Sequence, residues 1–536
     1  MQSRQTVHIM SAEWRWVIIV GSALVLLAFS PLLWVALHGT PGWQFMGVLH
    51  NYQDGATYIS KMRLGFDGNW LVYFQDTPEP HSGAFIQVLY LLLGHLSRVL
   101  SIPQIILFHV ARVGASLFMY VALYQLGATI WTRVRARRIF FLVVVLGAGL
   151  GWFLGPLLQD SALPDLAGVP ETFSFYSTFM NVHFPLTIAC LALLASMFIT
   201  AYRPGAEEDP SIDSSWPMAS LLSIILALLY PQALVPIGAA LILYVGIVWL
   251  QDRRMPLRLL RWLLAVVVPA IPIAAYYEIT VTYNPAMALW NRQNVTTAPT
   301  PLELVIGLGV PLIVALPGIY RAIRRFERDG DRVMLLWLAC IVVAIYVPIN
   351  VQRRFMVGMM IPMAYFATRA IEDVWLPRIG RRWRPAVGSI FIPFIAISQL
   401  LMLFLPVLPA ITGYPQLAVG IFLERDYALA YSWLDTRTSE TDVILASPLA
   451  SAWIPAWVGS RVVYGHPYET LNADVKKQQV LDWYTATNGA DCHTLLSEYS
   501  VRYILYGPEE QKLGQTVCLS TLHQVAQIGS VTVYAP

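Results

Sequence analysis

The chain has 536 residues, 57% of them hydrophobic and 12% charged, with a formal net charge of +3. Soluble domains carry about 25% charged residues, so a water-borne globule is excluded and lipid must solvate much of this surface. The near-neutral balance also excludes a partner held by bulk electrostatics, such as nucleic acid.

A helix crossing a ~30 Å hydrocarbon core needs about 20 apolar residues. In chain order, apolar segments predict eleven spans: 14–38, 104–130, 139–158, 176–202, 217–231, 233–250, 262–278, 302–320, 333–350, 354–371 and 386–410. The first is too long for a signal-peptide core and reads as a retained helix. The pair 217–250, broken at Pro231, reads as two short helices or a re-entrant hairpin. Four arginine clusters punctuate the spans: Arg133/Arg135/Arg137/Arg138, Arg253/Arg254/Arg258/Arg261, Arg321/Arg324/Arg325/Arg328/Arg332 and Arg378/Arg381/Arg382/Arg384. Short arginine-rich loops stay in the cytoplasm. With Arg4 and Arg15, the N-terminus is then inside, and 39–103, 159–175, 279–301, 351–353 and 411–536 are outside. If the apolar stretch 84–100 crossed, all four clusters would be expelled. It carries His95 and Arg98 and is expected to be an interfacial or re-entrant helix.

Beyond Ile411 the composition becomes mixed. Val443–Ser447, Arg461–Tyr464, Val501–Tyr506 and Val531–Tyr534 read as strands, and Asn472–Ala486 and Cys492–Tyr499 as helices. The expected fold class is a polytopic α-helical membrane protein, with a transmembrane domain over 1–410 and a small α/β domain outside the cytoplasm over 411–536. Cys190 and Cys340 read as core residues, and no metal-type Cys/His spacing appears. Cys492 and Cys518 lie in the outer region, where a disulfide persists, and are expected to be bonded.

Ionisable residues near spans gather at the outer ends: His109, Arg112, His183, Glu278, Glu303, Arg353 and Arg354. The first outer loop is the richest stretch, with Asp54, Asp67, Asp76, Glu79 and His81. An acid such as Asp54, at the start of the amphipathic run Tyr58–Phe66, can take a proton from an acceptor hydroxyl. The plainer alternative is a helix cap. Glu79, between Pro78 and Pro80, is a candidate acid or a turn residue. The second outer loop carries Asp160, Asp165 and Glu171, of which Glu171 abuts the next span; its alternative role is to satisfy a helix dipole. His183 reads as a polar core residue or a ligand group. Arg353 and Arg354 stand on the non-cytoplasmic side, against the usual bias, and need an anionic counterpart. A lipid phosphate fits guanidinium geometry, and headgroup anchoring is the alternative. Trp290–Asn294 and Gly459–Thr470 are outer segments that fit a sugar site or a turn.

A first span, then an outer loop with an acid near its start and interfacial helices, then many spans and an outer C-terminal domain, resembles the C-type (GT-C) glycosyltransferases. This group includes protein O-mannosyltransferases and aminoarabinose transferases. In residues the likeness rests on Asp54, the Glu79–His81 segment and the arginine-rich outer ends. It implies inverting transfer of a sugar from a polyprenyl-phosphate donor to an acceptor glycan, lipid or protein at the outer face of the plasma (inner) membrane. Asp54 is then the base, and Glu79 and Glu171 complete the acidic catalytic set. His81, His183, Arg353, Arg354 and Arg112 bind substrate. The family often has an acidic pair where Gln53–Asp54 stands here; the missing acid counts against a metal site, and a divalent metal is left as an alternative. A flippase or transporter of lipid-linked sugars, a glycan polymer ligase and a non-catalytic scaffold are the other readings. Transporters often repeat their halves around a midplane site, and neither feature is evident.

Reporter fusions test this arrangement. A fusion after Thr132 is expected to read cytoplasmic and one after Ser101 outside; the opposite signal at either position contradicts it.

Overall fold

Among the described residues, eight helices are long and apolar enough to cross a membrane: Ser11–Leu37, Gln104–Ile130, Val134–Leu157, His183–Tyr202, Pro231–Asp252, Leu257–Tyr283, Pro301–Arg325 and Arg384–Ile411. The computed structural model describes residues 9–38, 42–158, 169–203, 205–206, 212, 214–328, 330–487 and 492–536; Arg4, Asp160 and Asp165 lie outside the described residues. The other three expected spans are also helical but shorter, at 14 residues for Trp216–Leu229, 16 for Gly330–Ile345 and 11 for Met360–Ala370. At about 1.5 Å per residue, the first two fall short of a ~30 Å core, while Met360–Ala370 continues through the π-helical turn Ile371–Trp375 into Leu376–Arg378. The first is cut by Pro231: the residue before a proline leaves the helical region, and Tyr230 sits at φ −158°, ψ 76°.

The chain divides into two compact units, one of Met1–Phe29, Ala111–Tyr276 and Thr296–Phe404, the other of Ser30–Val110, Tyr277–Val295 and Leu405–Pro536. In the first unit, ion pairs link the arginine clusters. Arg137 meets Glu13 at 2.8 Å, Arg135 meets Glu372 at 2.7 Å, Arg321 pairs with Asp373, and Arg328 bonds Asp252 at 2.7 Å. The start of the first helix and the arginine-rich turns therefore gather at one end of this unit. Helices His183–Tyr202, Trp216–Leu229 and Gly330–Ile345 run from that end towards His183, Tyr230 and the turn Gln352–Met356.

In the second unit, helix Tyr52–Asp67 starts at Asn51, whose side chain accepts the Asp54 N–H, and stops at Gly68 with φ 107°. That left-handed conformation suits glycine at a helix C-terminus. This helix packs on Val88–Leu100, backbone to backbone. A Cβ on Gly65 would strike the Leu91 carbonyl oxygen, and one on Gly94 would strike that of Met62. With 13 residues, Val88–Leu100 is too short to cross a bilayer. Strand β1 (Trp43–Phe45) pairs antiparallel with β2 (Phe422–Glu424). The remaining strands are β3 (Val443–Leu445), β4 (Arg461–Val462), β5 (Val501–Tyr506), β6 (His523–Ile528) and β7 (Val531–Ala535). They form one sheet in the order β4-β3-β5-β7-β6. β3 runs parallel to β4 and β5, and β7 antiparallel to β5 and β6. Leu445, Ile504, Trp483 and Tyr484 fill the core beside the sheet, with the Cys492–Cys518 disulfide among them. β6 is absent from the sequence expectation because His523–Ile528 is an edge strand with little buried apolar surface to pattern it.

The helix crossing gives a direct test. Gly65→Ala and Gly94→Ala are each expected to lose about 1–3 kcal/mol, because extra volume must displace a neighbouring backbone. Gly114→Ala, with nothing within 4 Å of its added carbon, is the control. Thermal unfolding of the purified protein that ranks Gly65→Ala with Gly114→Ala contradicts the packing.

Candidate functional site

The second unit holds the larger cluster of charged side chains. Asp54 lies in the first turn of helix Tyr52–Asp67, and Asn51, not Asp54, caps that helix. Asn51 Nδ2 also donates to Asp54 Oδ2 at 2.6 Å. Asp54 Oδ1 stands 3.3 Å from Nε2 of His466, and the Asp54 side chain stays 37% exposed while the imidazole is buried. His466 Nδ1 accepts the backbone N–H groups of Tyr468 and Glu469 at 3.1 and 3.2 Å, so Nε2 is the donor to Asp54. Burial pushes the His466 pKa down, and the hydrogen bond and charge of Asp54, together with the charges of Glu469 and Asp76, raise it by more.

Two turns along the helix, Lys61 Nζ meets Glu469 Oε1 at 2.5 Å, with both side chains buried. Asp76 is buried beside them and its Oδ1 has no hydrogen-bond partner. Burial, with the charge of Glu469, raises its pKa to about 7 against the pull of His466 and Lys61. Glu79 pairs with buried Lys476 and accepts from Thr77 Oγ1 at 2.5 Å. Burial alone would raise the Glu79 pKa, but these bonds hold it below the usual range. His81 is committed to its own loop: Nε2 accepts the Phe74 N–H at 3.0 Å and Nδ1 donates to the Glu79 carbonyl at 3.0 Å. The Trp290 ring lies tilted against Phe74, and Gln293 donates to the carbonyls of Tyr468 and Thr470 at 2.6 Å each.

The first unit holds a second cluster, at the end away from the arginine-rich turns. Glu171 is buried and accepts the Tyr230 hydroxyl at 2.7 Å, while its carbonyl accepts the Gly358 N–H at 3.1 Å. Burial raises the Glu171 pKa, and the charges of Arg354 and Arg353 pull it back. The His183 ring stacks over Tyr230 with centroids 6.1 Å apart. Glu171, Tyr230, His183, Arg353 and Arg354 thus form one neighbourhood. Arg112 Nη1 donates to the carbonyls of Phe179 and Met180, both at 3.0 Å. Glu303 closes a capping box with Thr300, and His109 bonds the Gly47 carbonyl at 2.8 Å.

Lys61, Asp76, His466, Glu469, Lys476 and Tyr230 belong to these clusters and were not assigned from sequence. A usable signal existed for two of them. The chain has only four lysines, Lys61, Lys476, Lys477 and Lys512, against many arginines, and two of the four are buried in ion pairs. Among the described residues, no three His, Cys, Asp or Glu side chains converge as a metal site would need.

No model of a known protein family and no curated protein matches this sequence. Solved structures do match. The aminoarabinose transferase ArnT from Cupriavidus metallidurans, bound to undecaprenyl phosphate, aligns with a TM-score of 0.54 at 13% identity, covering 97% of this chain and 98% of that one. The oligosaccharyltransferase AglB from Archaeoglobus fulgidus, with an inhibitory peptide and dolichol-phosphate, aligns at 0.53 and 12% identity over 94% and 70%. The mycobacterial arabinofuranosyltransferase AftD aligns at 0.52 and 15% over 99% of this chain and 40% of its own length. The fold is that of the GT-C glycosyltransferases.

The buried Asp76 sets a pH dependence. Its folded-state pKa of about 7 lies above the ~3.9 of an unfolded chain, so the folded state holds an extra proton between about pH 4 and 7. Stability contributed by that group falls as pH rises through this window. Thermal unfolding followed against pH is expected to show that slope in the wild type and a flatter one in Asp76→Asn; equal slopes contradict the assignment.

Proposed function

We propose that the protein is a membrane glycosyltransferase that moves a sugar from a polyprenyl-phosphate donor to an acceptor hydroxyl at the outer face of the membrane, with inversion. The observation that carries this reading is the full-length match in fold to an aminoarabinose transferase solved with undecaprenyl phosphate. The arginine-rich end of the first unit is assigned to the cytoplasm by the bias of short loops. The end bearing Glu171, Tyr230, Arg353 and Arg354 is then the outer one.

In this mechanism the acceptor hydroxyl gives its proton to Asp54 as its oxygen attacks the anomeric carbon opposite the phosphate. A carbon–oxygen bond to the acceptor forms while the bond to phosphate breaks, and the electron pair leaves on the lipid phosphate. That group gains one negative charge, which Arg353 and Arg354 stabilise. Among the described residues the Arg353 side chain makes no hydrogen bond, and its backbone N–H is anchored on the Thr296 carbonyl at 3.2 Å, so its guanidinium remains available. Glu171, fixed by Tyr230, orients that arginine turn. Glu79 and His81 hold the loop that follows the base-bearing helix. No step runs through a metal.

The test is transfer from undecaprenyl or decaprenyl phosphate carrying a tritiated sugar. Asp54→Asn is expected to lower turnover about 10²–10⁴-fold with little change in donor KM. Arg353→Ala or Arg354→Ala is expected to raise donor KM and also slow the step. A folded Asp54→Asn protein with wild-type turnover removes Asp54 as the base.

A further inference from the structure

The C-terminal segment supplies a polar partner of Asp54 from outside its own helix turn. We propose that His466 is a positioning residue for Asp54, holding one carboxylate oxygen so that the carboxylate presents a fixed face to the acceptor. This deepens the reading of Asp54 as the base and rests on it.

The geometry around the carboxylate supports the assignment. His466 is buried at 3% exposure, whereas the Asp54 side chain it touches is 37% exposed. The carboxylate is therefore held from behind and open in front. The two oxygens have different donors, His466 Nε2 on Oδ1 at 3.3 Å and Asn51 Nδ2 on Oδ2 at 2.6 Å, which together set the side-chain torsion.

The imidazole is itself immobilised. Tyr468 and Glu469 N–H groups donate to Nδ1, and the N–H groups of Gly465 and His466 both donate to Thr470 Oγ1 at 3.1 Å. Thr470 Oγ1 in turn donates to the Asp76 carbonyl at 2.6 Å, which ties this turn to the same loop that follows the helix. With Nδ1 taken up by two backbone donors, the ring has no free nitrogen to carry a proton onward. It orients Asp54 and does not relay from it. The charged groups facing the ring are Asp54 from the helix, Asp76 from the loop after it and Glu469 from its own turn, with Lys61 behind Glu469.

Two substitutions separate the ring's two nitrogens. His466→Asn retains an acceptor near the Nδ1 position for the backbone N–H groups but is too short to reach Asp54. His466→Gln extends an amide N–H towards the Nε2 position. Full-length protein in detergent is labelled with a water-soluble carbodiimide and an amine, and Asp54 labelling is followed by mass spectrometry against pH. A donor to the ionised carboxylate favours that form, so its loss moves the protonation midpoint upward. His466→Asn is expected to raise the labelling midpoint by about one pH unit, since it removes a hydrogen bond to the charged form. It is also expected to lower kcat by about 10²-fold through misplacement of the base, with KM within about two-fold. His466→Gln is expected to restore most of both. A folded His466→Asn protein with wild-type midpoint or wild-type kcat overturns the inference. If Asp54→Asn is inactive while His466→Asn behaves as wild type, this inference alone fails. If Asp54→Asn keeps wild-type turnover, the base itself is misassigned.

Discussion

The second unit depends on three acid–base pairs that join residues 54–79 to residues 466–476: Asp54 with His466, Lys61 with Glu469, and Glu79 with Lys476. Taking an ion out of water costs several kcal/mol unless a partner compensates it, so removing one member of a buried pair is far more damaging than never having had the pair. Lys61 and Glu469 are both nearly inaccessible, so the contact between them offsets the desolvation of each. The pairs therefore act chiefly as a register. They specify which stretch of a loop lies against which turn more than 380 residues later in the chain, and backbone bonds complete the match. Val462 N–H donates to the Gln75 carbonyl at 3.0 Å, and Leu471 N–H to Thr77 Oγ1 at 3.2 Å. Asp54 sits at the edge of this stitched region, which is why it can be rigid and still face solvent.

The first unit applies the same physics differently. Its arginines are sorted to one end and paired there with Glu13, Asp252, Glu372 and Asp373. The other end carries Glu171 in a buried setting, hydrogen-bonded to Tyr230 and under the influence of two arginines. A carboxyl and two guanidinium groups kept at one end of an apolar bundle are costly for stability alone, and ionisable groups at such depth usually mark a functional path.

Much of the fold was legible because its signals are local. Long apolar runs and arginine-rich turns set the helices and the end at which the clusters lie, and β-branched runs such as Val501–Tyr506 marked strands. Helix lengths were less legible. Trp216–Leu229 and Met360–Ala370 end where Pro231 and the neighbourhood of Gly358 force the backbone out of the helix, which hydropathy does not register. For the site, Asp54, Glu79, Glu171, Arg353 and Arg354 stood out because charge in an apolar chain is conspicuous. Of their partners, His466 and Glu469 stood out only as members of the segment Gly459–Thr470, and Lys476 did not; their roles come from contacts at a sequence separation of about 400 residues. Arg112, a substrate-binding candidate by sequence, donates from its Nη1 to two backbone carbonyls, contacts that hydropathy and charge placement do not reveal.

The central claim is that a lipid-linked phosphate binds at the arginine turn of the first unit. An experimental structure of the protein with decaprenyl or undecaprenyl phosphate tests it most directly. The account predicts phosphate density within hydrogen-bonding distance of Arg353 and Arg354, close to Glu171 and Tyr230. Phosphate density elsewhere on the protein, with those arginines unchanged, would contradict it.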